Sequence, residues 1–298
     1  MKNWKRRLII LLSALVVAYL GACGYLWATQ TQQIFDPCKE IHTDPGRMGM
    51  EYIDVRVPVT SDGEQIMLDG IWIPAETAES TNNAPSIIFL HGQDDTIGKN
   101  LEHNVRQLHA LGYNVLQIDY RGYGNSFDSY TPSEKTVYED AEAAWQFLIV
   151  DLGADPNLTF IYGHSLGGAI AIELAMHHPE AAGLIVESTF TSIIDMVKYR
   201  QPILTRLLPM KMLIRHQFDS KNKIGNLQLP VLLIHGRADA KVPYMMSQQL
   251  YELAPEPKDR LIIKGGEHAN SASIDAVDYK AKVATFVGKH LTKTGADD

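Results

Sequence analysis

Cysteine is nearly absent: Cys23 and Cys38 are the only two in 298 residues, and neither stands in a paired metal-ligand spacing. Two are too few for a disulfide framework, so no disulfide scaffold and no structural zinc site is expected. Internal repeats and low-complexity tracts are missing as well, so no repeat architecture is indicated. Charged residues are limited to 21% against 45% apolar, the balance of a globular protein and not of a disordered or fibrous one. Of the net charge of −8, Lys2, Lys5, Arg6 and Arg7 contribute +4, which leaves −12 over residues 8–298. So acidic a body repels nucleic acid, and no nucleic-acid partner is expected.

What the chain has in plenty is an uncharged apolar run, LIILLSALVVAYLGACGYLWA, over residues 8–28. As a helix it spans about 31 Å, which matches a hydrocarbon core of about 30 Å. Tyr25 and Trp27 sit at its far end, where amphipathic rings favour the interface. The basic segment 1–7 before it should stay cytoplasmic, which places the rest on the outer side of a single-pass membrane protein. Two other readings stay open. Leu20-Gly21-Ala22-Cys23 resembles a lipobox, and a cleaved secretory signal is the third option. The run continues past Cys23 to Ala28 with no clean cleavage site, which favours an uncleaved anchor.

Residues 29–50 read as a polar connector leading away from the membrane. Then Ile53, Val55, Val57 and Val59 alternate with polar residues and Pro58, the pattern of a half-buried edge strand. Ile66–Ile73 suggest a second strand, and Ala75–Pro85 a surface loop. Afterwards short buried runs alternate with helical spacing. The strands expected are 86–90, 114–118, 158–162, 183–186, 231–234 and 261–263. A helix at Leu101, Val105, Leu108 and Leu111 is closed by Gly112. Another begins at Thr131-Pro132-Ser133-Glu134, read as a capping box with proline in the first helical position. The last helix carries Tyr279, Val283 and Phe286 on one face. Alternation of this kind means an α/β fold, a mostly parallel sheet of about eight strands with helices on both faces. The stretch 190–228 interrupts the rhythm with Pro202, Pro209 and an amphipathic mix, and reads as a helical lid.

Gly163-His164-Ser165-Leu166-Gly167-Gly168 lies between a strand and a helix, the setting of a nucleophile elbow. Glycines flank the serine because strand and helix must approach closely around a strained turn. A serine hydroxyl needs a base oriented by a third group. His268 follows the last strand, where a loop can carry it over Ser165. Asp239, after strand 231–234, is the acid preferred by chain order, with Glu187 as its competitor. An oxyanion hole would come from the backbone N–H groups of Leu166 and Gln93. His91 and His164 read as packing and supporting residues.

These stretches, together with Leu90-His91-Gly92, Asp119-Tyr120-Arg121-Gly122-Tyr123-Gly124-Asn125-Ser126 and His235-Gly236-x-x-Asp239-x-x-Val242-Pro243, resemble the α/β-hydrolase superfamily. More narrowly, the chain is similar to the membrane-anchored abhydrolase-domain serine hydrolases. The resemblance covers about residues 50–292. It implies an eight-stranded sheet, a Ser165–Asp239–His268 triad and no cofactor. The organisation expected is a basic segment at 1–7, an anchor at 8–28, a connector at 29–50 and a hydrolase domain at 51–298. Acyl transfer to water through an acyl-enzyme is the expected reaction, on a small-molecule ester, a thioester or a lipid. A serine peptidase with the same triad, and a non-catalytic binding protein on the same fold, are the alternatives. Because the base must be neutral, the rate is expected to fall on acidification through about pH 6 to 7.

Overall fold

Alternating side chains in β1 (Ile53–Ser61) put Val55, Val57 and Val59 inside and Asp54, Arg56 and Pro58 outside. β2 (Glu64–Ile73) pairs with it antiparallel, with Val57 opposite Leu68. The computed structural model describes residues 2–38, 43–61, 63–76, 84–99, 101–126 and 130–291. Most of the loop expected at Ala75–Pro85, residues 39–42 of the connector and the last seven residues of the domain lie outside the described residues.

The remaining strands are β3 (Ser86–Leu90), β4 (Asn114–Ile118), β5 (Thr159–His164), β6 (Gly183–Glu187), β7 (Val231–Gly236) and β8 (Lys258–Ile263). They form one eight-stranded sheet in the order β1-β2-β4-β3-β5-β6-β7-β8. The β1–β2 and β2–β4 pairs are antiparallel, and all pairs from β4 to β8 are parallel. Pro58 lies on the edge strand, where its missing N–H costs no ladder bond. Each of β3 to β7 is buried along its whole length, as expected for strands covered on both faces. Ile88 and Leu90 face one apolar layer, and Ile87 and Phe89 face the other.

The helices in chain order are α1 (Lys2–Ile34), α2 (Arg106–His109), α3 (Glu134–Gln146), α4 (Leu166–His177) and α5 (Ile193–Arg200). They continue as α6 (Pro202–Leu207), α7 (Met210–Leu213), α8 (Ser220–Lys223), α9 (Met245–Leu253), α10 (Ser271–Ile274) and α11 (Ala276–Leu291). Tyr279, Val283 and Phe286 of α11 are buried in the second layer. The expected lid is the chain of short helices α5 to α8.

Two elements differ from expectation. The helix at 134 has Ser133 as its cap, bonded to Thr136 N at 3.1 Å, and Thr136 returns the bond to Ser133 N at 2.8 Å. Pro132 precedes the cap instead of opening the helix, because Ser133 is extended at φ −142 and only the next residue turns helical. The second difference is larger. α1 does not end with its apolar run but continues to Ile34, and Ile34 and Phe35 are buried in the main core. The start of the expected connector is thus part of the folded body.

Candidate active site

The turn between β5 and α4 is tight because three glycines permit it. A Cβ on Gly163 would stand 2.2 Å from the carbonyl oxygen of Gly167, and one on Gly167 would stand 2.0 Å from that of Leu90. A Cβ on Gly168 would meet Thr189 at 2.5 Å. No larger residue fits unless backbone moves. Between them Ser165 is held at φ 55, ψ −117, a conformation that costs a non-glycine residue about 1–3 kcal/mol. The surroundings enforce it: Ser165 N–H donates to Glu187 O at 2.9 Å, and Thr189 Oγ1 donates to Ser165 O at 2.8 Å.

The strain presents Ser165 Oγ at 2.9 Å from His268 Nε2, while His268 Nδ1 stands 2.8 Å from Asp239 Oδ2. With Nδ1–H donating to the carboxylate, Nε2 keeps a lone pair toward the serine hydroxyl. Asp239 Oδ1 accepts the N–H groups of Lys241 and Val242, each at 2.8 Å. Burial would raise the Asp239 pKa, but hydrogen bonds from His235 and His268 and the facing imidazole outweigh it. The carboxyl is held well below the usual range, hence ionised. Glu187, the alternative acid, lies elsewhere: its carboxyl engages Tyr162 Oη and Asn104 Nδ2, beneath the turn. Burial raises its pKa.

Two histidines hold the frame. His164 Nε2–H donates to the backbone oxygen of His268 at 2.8 Å, so it supports the loop of the second histidine as well as the turn. Burial, and then the nearby His268, lower its pKa to about 3, which keeps it neutral. His91 Nδ1–H donates to Gly92 O at 2.9 Å, and burial lowers its pKa to about 4. That bond fixes the Gly92–Gln93 peptide plane, and in a trans peptide the Gln93 N–H then points the opposite way. Tyr123 Oη donates to Gln93 O at 2.9 Å, and Gln93 Nε2 donates to Gln33 O of α1 at 3.2 Å. The Leu166 N–H, at the first position of α4, has no partner within its own helix.

A cavity of about 590 Å³ opens over Ser165 and His268, with Gln93 and Leu166 in its lining. One wall is the lid, including Ile193, Leu204 and Met210; the other is α1, through Leu26, Gln30 and Ile34. Sequence reasoning missed that wall, because an apolar run read as a membrane span gives no sign of where its last turns pack. At the rim, Asp94 is bound by Lys99 and Lys241, each at 3.1 Å. Burial opposes ionisation there, but the two ammonium groups hold the Asp94 pKa at about 2.

The family described as serine aminopeptidase S33 matches residues 81–220. An uncharacterized protein of Mycobacterium tuberculosis is 31% identical over 267 residues, covering 90% of this chain and 89% of its own length. The α/β hydrolase domain-containing protein WAV2 of Arabidopsis thaliana is 30% identical, over 70% of this chain and 69% of that protein. The chain belongs to the α/β-hydrolase superfamily. Within it, the lysophosphatidylserine lipase ABHD12 of Danio rerio is 30% identical to this α/β-hydrolase, over 63% of the chain and 54% of the lipase. Among solved structures, the esterase Pf2001 of Pyrococcus furiosus superposes with a TM-score of 0.66 at 21% identity, covering 86% of this chain and 97% of the esterase. That last likeness is one of fold.

Proposed function

We propose that this α/β-hydrolase is a serine hydrolase that cleaves carboxylic esters or thioesters through an acyl-enzyme on Ser165. The observation that carries the reading is the strained serine whose hydroxyl meets His268 at 2.9 Å on the floor of a cavity with apolar walls from the lid and α1 and a polar rim. His268 Nε2 takes the hydroxyl proton as Ser165 Oγ bonds the acyl carbon. The resulting oxyanion rests on the N–H groups of Gln93 and Leu166. Collapse breaks the bond to the leaving alcohol or thiol, which receives the proton from His268. Water then repeats the sequence: His268 takes its proton, its oxygen bonds the acyl carbon, and Ser165 leaves with the proton returned. Asp239 orients the imidazole and stabilises its charged form without taking the proton.

The anchor reading is part of the proposal. α1 is long and apolar enough to cross a membrane. Its basic leader favours a cytoplasmic N-terminus with the hydrolase body outside. A lipid or acylated small molecule, with an apolar chain and a polar head, suits a cavity of mixed lining beside a bilayer, and a lipase stands among the relatives.

The matched family description favours a second reading, an aminopeptidase. Such an enzyme needs an anion for the substrate ammonium; Asp94 at the rim is bound by two lysines, while Asp36 is a second carboxylate in the cavity lining, so the choice of substrate decides between the readings. Purified full-length protein should be offered p-nitrophenyl esters of increasing chain length, a matching acyl thioester and an aminoacyl anilide. Turnover is expected to peak on chains of several carbons. A strict preference for acetyl, or faster turnover of the anilide, would contradict the proposal.

A further inference from the structure

Hydrogen bonds join the lid to the last turns of α1, from Trp27 to Thr31, where Thr31 Oγ1 meets His216 Nε2 at 3.0 Å. Gln30, buried in the body, donates from Nε2 to Leu213 O at 3.0 Å and accepts Arg215 N–H on Oε1 at 2.7 Å. The Arg215 guanidinium lies 4.4 Å over the Trp27 ring. Gln30 is two residues past the end of the apolar run, about 3 Å along a helix axis. The headgroup layer on each side of a bilayer is about 5–8 Å thick. With α1 in a membrane, α7 and the turn after it lie at headgroup depth.

What the lid exposes at that depth suits the place. Ile203 and Leu207 share one face of α6 and are 70% and 65% exposed, and Met212 of α7 is 83% exposed. Tyr199, at the end of α5, is exposed beside them. Around them stand exposed Lys198, Arg200, Arg206, Lys211 and Arg215. The only acid between residues 193 and 217 is Asp195, itself bound to Lys221 at 2.7 Å. A basic, apolar patch on a protein of net charge −8 is complementary to anionic lipid. The cavity continues the pattern, since Leu26 in its wall belongs to the apolar run itself.

We propose that α6 and α7 form a docking surface for the anionic bilayer that α1 enters, so that the cavity opens sideways onto the lipid. Ile203, Leu207 and Met212 sink between headgroups, and Arg206 and Lys211 bind their phosphates. Amphiphilic substrates then reach Ser165 along α1 without leaving the membrane; this route rests on the ester-hydrolase reading, the docking does not.

The test uses full-length protein in vesicles of phosphatidylcholine with or without phosphatidylglycerol. Met212→Cys, in a Cys23→Ser/Cys38→Ser background, carries an environment-sensitive fluorophore. Val150→Cys, exposed just before the loop that feeds the N-terminal end of β5, at the opposite end of the strands from the candidate site, is the control. Lipid-borne spin labels are expected to quench the probe at 212 and not at 150, more strongly in anionic vesicles. Arg206→Glu/Lys211→Glu should remove that anionic enhancement. The same double variant should slow hydrolysis of a bilayer-dissolved ester by about 10-fold or more and leave a short soluble ester unaffected. Equal quenching at 212 and 150 would overturn the docking, whatever else covers the patch. Equal loss on both esters, or on neither, would overturn the lateral route. A protein that hydrolyses no ester yet is quenched at 212 would sink the ester reading and leave the docking in place.

Discussion

His268 is held on three sides: Asp239 orients its ring, Ser165 meets its free nitrogen, and His164 binds its backbone oxygen. The third contact is the least obvious. Because His164 is neutral and buried, its loss should not remove charge but let the 265–270 loop drift. His164→Ala is expected to lower kcat by about 100-fold with KM little changed, since a displacement of about 1 Å costs that much. Steady-state kinetics on a soluble ester would check it. A second residue-scale consequence concerns the glutamine loop. Burial pushes Asp95 and Asp119 up to about 7, and Asp119 Oδ1 accepts Ile97 N–H at 2.9 Å. Between about 4 and 7 the folded protein holds protons on them that the unfolded chain has released. Stability from these groups is therefore lost as pH rises through about 7. The lowered values of His91 and His164 act the other way, but only below about 6.5. Above that pH Asp140, raised to about 7 by burial, and His178, whose burial is outweighed by Glu142 and Glu180 so that it too is raised, act in the same direction as the two carboxyls. Asp119→Asn should therefore show a smaller fall in Tm than the wild type between about pH 6 and pH 8.

At the scale of elements, the turn from β5 into α4 is where local sequence and global fold agree most closely. Gly167→Ala sets a methyl against the Leu90 carbonyl, and backbone on both sides cannot yield cheaply. A loss of at least about 1–3 kcal/mol is expected, read as a lower urea midpoint. An unchanged midpoint would show that the turn has more room than its geometry allows. This element was legible in the sequence because its glycines have a steric reason that composition alone exposes. The buried strands were legible for a similar cause, since helices on both faces demand unbroken apolar runs. Other features were not. The partner of Ser133 is Thr136, whose hydroxyl serves as well as the carboxylate a capping box usually supplies. The end of α1 was hidden because Gln30 and Gln33 look like solvated connector until the lid and the Gln93 loop arrive from far along the chain. The three residues named for the triad do come together, but the support that His164 gives His268 and His235 gives Asp239 depends on contacts the motifs alone do not show.

For the whole molecule, the consequence is that the N-terminal helix, lid and sheet share one cavity. α1 contributes a wall, the lid a roof, and the C-terminal ends of β3, β5, β7 and β8 carry the loops that hold the reacting groups. The end of the apolar helix is therefore part of the candidate site. All of this has a function only if the hydroxyl at 165 is nucleophilic. Such a serine attacks the phosphorus of a fluorophosphonate probe and displaces fluoride, while ordinary serines do not react. The decisive measurement is labelling of full-length wild-type protein, Ser165→Ala and His268→Ala, followed by mass spectrometry of the modified peptide. Covalent phosphonate on Ser165 of the wild type, none on Ser165→Ala, and labelling slowed by about 10⁴-fold in His268→Ala is the expected result. An unlabelled wild type, or a label that persists when residue 165 is alanine, would contradict the account.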